Sequence, residues 1–264
     1  MKRLEGIRGV LMDLDGVVYE GTNVIPQAPP FFERLRRARW PVQFITNNSS
    51  ATPEQFAERL SSMGVPASAS EVLTSAIATA EYLRKRSPAG GRAYVIGERG
   101  LREAVQEAGF ELVEDGPDYV LVGLDRAFDY HKLTVAIRDV IGGAEFLGSN
   151  PDTTLPAEDG LIPGAGSIQA AIRAATGLTP MIIGKPEPTM TLMALERIGL
   201  KPAEAVSIGD RIDTDILGGH RAGTPTVLVL TGISTREQAD QAETKPTIIA
   251  RNLDEVAEAI GLPA

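Results

Sequence analysis

Two aspartates stand two residues apart in Asp13-Leu14-Asp15-Gly16, directly after the apolar run that begins at Val10. On an extended backbone, residues i and i+2 project to one side, so these carboxylates would sit close and repel. The repulsion falls if one is protonated or a divalent cation lies between them. Magnesium suits such a place, because it takes hard oxygen ligands from one or two carboxylates plus phosphate and water. Asp210, after the run Ala205 to Ile208, offers a third carboxylate. Thr46 closes the run Val42 to Thr46, Asn47 follows it, and the two offer a hydroxyl and an amide to phosphate oxygens. Lys185, between Gly184 and Pro186, offers the cation that an anion would need.

Each cluster also has an ordinary reading. Asp-x-Asp-Gly makes an Asx-turn, Thr-Asn-Asn-Ser caps a helix, and a lone lysine is usually a solvated one. The three acids in Asp210-Arg211-Ile212-Asp213-Thr214-Asp215 complement a helix N-terminus in any case. What favours chemistry is the shared context. All but Lys185 come directly after an apolar run, and in open α/β sheets ligands bind beyond the carboxyl ends of the strands. Gly164-Ala165-Gly166 lacks the third glycine of a dinucleotide loop, and Gly184-Lys185 is not a Walker A sequence.

The elements that must position these residues alternate almost throughout. Apolar runs at Val10–Leu14, Val42–Thr46 and Glu71–Thr74 are interleaved with amphipathic stretches at Pro29–Arg39, Pro53–Met63 and Ser75–Arg86. Ser87-Pro88-Ala89-Gly90-Gly91 breaks the pattern, which restarts and runs through Glu145–Gly148 to a Gly/Pro-rich loop over 150–166. A third stretch repeats the theme, with Ala205–Ile208, a helix over Asp213–Ala222, Thr226–Leu230 and Thr247–Ala250. The order predicts an α/β fold with a doubly wound parallel sheet.

Composition removes several classes of function. The 264 residues carry a net charge of −9, which disfavours nucleic acid and anionic membranes as partners. There is no cysteine, so thiol catalysis, disulfides and Cys-based metal sites are excluded. His131 and His220 are the two histidines, too few for a His-rich metal centre. No apolar run is long enough to span a bilayer and no signal-peptide core opens the chain, so the expected location is cytoplasmic.

Taken in order, Asp13-Leu14-Asp15-Gly16-Val17, Thr46, Lys185 and Gly209-Asp210 to Asp215 resemble the four motifs of the haloacid dehalogenase (HAD) superfamily of phosphohydrolases. The insertion between the second and third motifs resembles a type IIA cap. Thr46-Asn47-Asn48-Ser49, Asn150-Pro151-Asp152, Pro163-Gly164-Ala165-Gly166 and Gly184-Lys185-Pro186-Glu187-Pro188 are similar to the NagD-like and 4-nitrophenylphosphatase-like members. The resemblance implies a Rossmann-like core over 1–77 and 182–264 and an inserted α/β cap over 78–181. It implies a Mg²⁺-dependent phosphomonoesterase acting on a small phosphorylated metabolite, such as a sugar phosphate or nucleotide, or on p-nitrophenyl phosphate. Asp13 is then the nucleophile that becomes an aspartyl-phosphate, and Asp15 the general acid and base. Asp13, the Asp15 carbonyl and Asp210 are the metal ligands. Thr46, Asn47 and Lys185 bind the phosphate, Asp215 or Asp213 supports the metal, and Asn150 and Asp152 in the cap grip the leaving group. A phosphomutase shares these motifs. A dehalogenase shares the nucleophile but needs neither Asp15 nor Asp210, and a phosphate-sensing receiver is shorter and has no cap. The substrate and the oligomeric state, a homodimer included, stay open at this level.

Overall fold

A computed structural model describes residues 3–157 and 160–263. The chain divides into two compact units. The first comprises Met1–Thr46, Glu54–Leu73 and Lys185–Ala264, and the second Asn47–Pro53 and Thr74–Gly184.

The first unit is built on a six-stranded sheet in the order Ile248–Ala250, Thr226–Val229, Ala205–Gly209, Gly9–Met12, Val42–Thr46, Val72–Thr74. The pairings from Ile248–Ala250 across to Val42–Thr46 are parallel. Gly9–Met12 lies in the middle, with Val10 beside both Val206 and Val42. Every residue of Gly9–Met12, Val42–Thr46 and Ala205–Gly209 is buried, as strands covered by helices on both faces must be. From the central strand the chain passes first to one neighbour and later to the other. That reversal of strand order is the switch point at which an open α/β sheet leaves a crevice.

The second unit repeats the construction with five parallel strands in the order Met181–Ile182, Glu145–Gly148, Tyr119–Val122, Gly91–Ile96, Phe110–Leu112. Its core joins Ile96, Val120 and Val122 to Val135, Val140, Ile168 and Ile172 from two helices, Tyr130–Ile141 and Ala165–Thr176. Among the described residues no helix is long and apolar enough to cross a membrane.

Three expectations need correction. The stretch 150–166 is not all loop, because Thr154–Ala157 pairs antiparallel with Gly160–Pro163. Local antiparallel pairing needs no buried face, so it leaves little apolar signature; residues 158 and 159 of the stretch lie outside the described residues. Asp213–Ala222 is not one α-helix. It opens with a π turn at Ile212–Ile216 and becomes α-helical at Leu217–Ala222. Finally, the first strand ends at Met12 rather than at Leu14, so Asp13 and Asp15 lie beyond it. The chain turns at once, with the amides of Val17 and Val18 donating to the Leu14 carbonyl.

Candidate active site

Asp13 and Asp210 come directly after the strands Gly9–Met12 and Ala205–Gly209, and Thr46 is the last residue of the neighbouring strand Val42–Thr46. The sheet thus brings together residues nearly 200 positions apart in sequence. One carboxylate oxygen from each of Asp13, Asp210 and Asp215 lies within 4.8 Å of the others. Lys185 reaches the same place. Its ammonium donates to Asp13 Oδ1, to Asp215 Oδ1 at 2.5 Å and to the Ile45 carbonyl at 3.2 Å. A side-chain exposure of 7% for Lys185, 12% for Asp13 and 5% for Asp215 makes these buried charges.

The π turn decides which acid enters. Its register points Asp215 inward, where Oδ1 accepts from Lys185 and Oδ2 from the Arg211 amide at 3.1 Å. Asp213 faces out and accepts from Arg211 Nη2 at 2.7 Å. Arg211 holds the Asp213 carboxyl below its ordinary range. Such one-turn bulges concentrate at functional sites because they re-aim single side chains.

Asp210 is gripped from a loop that the motif spacing does not single out. Its Oδ2 accepts from the Ile233 amide at 2.7 Å, and its carbonyl from the Ser234 amide at 3.1 Å. Thr231 Oγ1 donates to the Gly16 carbonyl at 2.6 Å, tying the same loop to the Asp13–Gly16 turn. A Cβ at Gly16, whose φ is +76°, or at Gly232 would collide with the Asp210 carboxylate. Both glycines are therefore required by close approach. Thr231-Gly232 follows the apolar run Thr226–Leu230, so the rule that reads polar residues after strands also reaches this loop.

The electrostatics are out of balance. Burial raises the Asp13 carboxyl well above its ordinary range, and Asp215 and Asp210 add to the shift against the pull of Lys185. Asp210 is pushed up to about 7 by burial, with Asp215 adding. Burial draws the Lys185 ammonium down, but Asp13 and Asp215 outweigh it and the net shift is upward. Three carboxylates thus share one ammonium in a poorly solvated site. An all-oxygen, hard donor set with surplus negative charge fits a divalent cation.

Asp15 differs from its neighbour. It is exposed and stays outside the three-carboxylate group, yet partial desolvation raises its carboxyl too. Arg59 and Lys185 oppose that shift. Thr46 is buried at the end of its strand.

The remaining candidates, Asn47, Asn150 and Asp152, lie in the second unit and form one network. Asn47 Nδ2 donates to Asp152 Oδ2 at 3.1 Å, and Asn150 Nδ2 donates to the Asn47 carbonyl at 2.7 Å. The Asp152 amide donates to Asn150 Oδ1 at 3.1 Å. Gln169 Nε2 donates to the Asn150 carbonyl at 2.9 Å. The buried Asn150 amide is thereby committed to holding its own loop.

Comparisons with known proteins agree on one relationship. A family model described as haloacid dehalogenase-like hydrolase matches residues 10–111, and a second HAD-like model matches residues 182–256. The chain is 42% identical over 249 residues to an acid sugar phosphatase of Staphylococcus aureus, covering 94% of this chain and 96% of that protein. Among solved structures it is similar to 4-nitrophenylphosphatase from Thermotoga maritima, with 35% identity and a TM-score of 0.92 over 97% of this chain and 98% of that one. NagD from E. coli K-12 is 34% identical with a TM-score of 0.89, over the same shares of the two chains.

Proposed function

This chain belongs to the haloacid dehalogenase-like hydrolases and is a phosphoric monoester hydrolase, and we propose that it works through an aspartyl-phosphate on Asp13, with Mg²⁺ as its cofactor. The observation that carries the proposal is the buried Asp13–Lys185 pair at the switch point, set among more carboxylate than one lysine can neutralise.

Asp13 attacks phosphorus with one carboxylate oxygen. The P–O bond to the leaving group breaks, and Asp15 gives that oxygen its proton. Water then attacks the aspartyl-phosphate, Asp15 takes back a proton, and inorganic phosphate leaves. Lys185 keeps Asp13 ionised against its burial and neutralises charge on the transferring group, and Thr46 and Asn47 donate to its oxygens. Asp215 holds Lys185 in place. Asp13, Asp210 and the Asp15 carbonyl are the proposed holders of the cation, which would supply the further positive charge that phosphoryl transfer requires. Covalent attack by a carboxylate accounts for a hydrolase without cysteine and with only two histidines.

Substrate choice is assigned to the segment 78–181 as the cap, at the loop of Asn150 and Asp152. Small phosphorylated metabolites are the class, and sugar phosphates head it because the Staphylococcus aureus relative is named for them. The cytoplasm is the proposed location. A panel of sugar, nucleotide and aryl phosphates, assayed with Mg²⁺ and with EDTA, tests the reading. Release of phosphate that stops with EDTA and returns with Mg²⁺ is expected; turnover indifferent to the metal contradicts it.

A further inference from the structure

Among the described residues, two buried side-chain polar atoms have no hydrogen-bond partner: Asp139 Oδ2 and the hydroxyl of Tyr19. The other oxygen of Asp139 pairs with Arg138, but Tyr19 has only the one polar atom. Its side chain is fully enclosed. A buried hydroxyl without a partner is costly, and native proteins seldom leave one without a use.

Its surroundings suggest the use. Tyr19 begins the two-residue strand Tyr19–Glu20, which pairs with Asn23–Val24. The backbone of Tyr19 lies against that of Asp15 in an isolated bridge, with the Gly16 amide donating to the Tyr19 carbonyl at 2.8 Å. The Arg59 guanidinium carbon lies 4.0 Å from the centre of the Tyr19 ring. Arg59 also donates to the Gly21 carbonyl, fixing the same hairpin. Of the charged groups that bear on the hydroxyl, Asp15 acts most strongly, ahead of Arg59 and Asp13, and its carboxyl lies near enough to draw the hydroxyl as an acceptor although no bond of full geometry is formed. The phenol is therefore held rigid beside the one acid of the site that stays outside the carboxylate cluster.

We propose that Tyr19 is a positioning residue for Asp15, its hydroxyl donating to one carboxyl oxygen so that the other faces the leaving group. This rests on the reading of Asp15 as the general acid. The Tyr19 hydroxyl keeps its own proton throughout; the proton that moves is on the far oxygen of Asp15. Arg59 acts one step further out, with its guanidinium over one face of the ring.

The test uses the full chain with Mg²⁺ and compares p-nitrophenyl phosphate, whose leaving group needs little protonation, with phenyl phosphate, whose leaving group needs more. Tyr19→Phe keeps the ring and the Arg59 contact and removes only the hydroxyl. The expected result is a fall of about tenfold in kcat/KM for phenyl phosphate and of less than about twofold for p-nitrophenyl phosphate, with the melting temperature unchanged or raised. Equal losses on both substrates, a lowered melting temperature with uniformly slower turnover, or no loss would each overturn the proposal. Asp15→Asn is run beside it. If Asp15→Asn discriminates between the substrates and Tyr19→Phe does not, the positioning role alone fails. If Asp15→Asn lowers kcat/KM for both alike, the general-acid reading fails and the positioning role goes with it.

Discussion

The two units share a construction, a parallel sheet with polar residues at the carboxyl ends of its central strands, and they use it differently. In the first, those ends carry Asp13 and Asp210, with Asp215 and Lys185 brought alongside, and charge is left over. In the second, the corresponding ends carry mostly amides and hydroxyls that satisfy one another, and the acids there have partners of their own: Asp152 accepts from Asn47 and Asp125 pairs with Lys132. Gln169 donates to the carbonyls of Val122 at 3.3 Å and Asn150 at 2.9 Å, Asn150 donates to Ser149 at 3.2 Å, and the Leu124 amide donates to Ser49 Oγ at 3.3 Å. A closed amide and hydroxyl network needs nothing further and stiffens its loops. A buried excess of carboxylate needs a bound proton or another cation, so it is the end of the first sheet that points to a ligand.

Four substitutions or conditions probe that contrast. The largest effect belongs to Asp13→Asn, which removes the nucleophile while nearly preserving shape; turnover should fall by roughly 10⁴-fold or more in a steady-state phosphatase assay. Lys185→Met should cost about 10²–10³-fold in kcat. It also leaves Asp13 and Asp215 buried without their cation, which should cost about 3–5 kcal/mol in denaturant unfolding. If Lys185→Met unfolds like the parent, the charge imbalance described above is not real.

Third comes pH. The Asp210 carboxyl is near 7 when folded, against 3.8 as its ordinary value. The folded state therefore binds this proton more tightly than the unfolded state does. Its contribution to stability is present below about 4 and is lost as pH rises toward 7, a change on the order of 2–4 kcal/mol. Metal-stripped protein should accordingly melt at lower temperature at pH 8 than at pH 5.5, all else equal, and Mg²⁺ should reverse the loss at pH 8. The smallest effect belongs to the second unit. Gln169→Leu removes the side-chain donor to the Asn150 carbonyl, while Val122 keeps the Ser149 amide at 2.9 Å, and should cost about 1–3 kcal/mol, with kcat for p-nitrophenyl phosphate changed less than about threefold. A large loss of kcat without a loss of stability would break the contrast from the other side.

Much of this arrangement could be read in the sequence, for a reason that also marks where reading stopped. Asp13, Thr46 and Asp210 each come at the end of a mainly apolar run, and Lys185 sits in a segment fixed by Gly184, Pro186 and Pro188. Strand ends are local features, and the sheet then does the gathering. The choice between Asp213 and Asp215 is different, because it turns on a π turn that shifts the register by one residue. Tyr19 reads as one more large residue in Val17-Val18-Tyr19, and only its enclosure and missing partner set it apart. The boundary of the units escapes for a similar reason. Residues 47–53 belong with the second unit through contacts such as Ser75 Oγ to the Asn47 carbonyl at 2.6 Å, which no composition change announces.

The central claim is that Asp13 carries the phosphoryl group. Enzyme mixed with p-nitrophenyl phosphate and Mg²⁺ can be quenched in acid within milliseconds, digested, and its peptides weighed. The expected result is a phosphoryl adduct on the peptide containing Asp13, absent from Asp13→Asn and from protein quenched without substrate. An adduct on any other residue, or full turnover with none formed at any quench time, would contradict it.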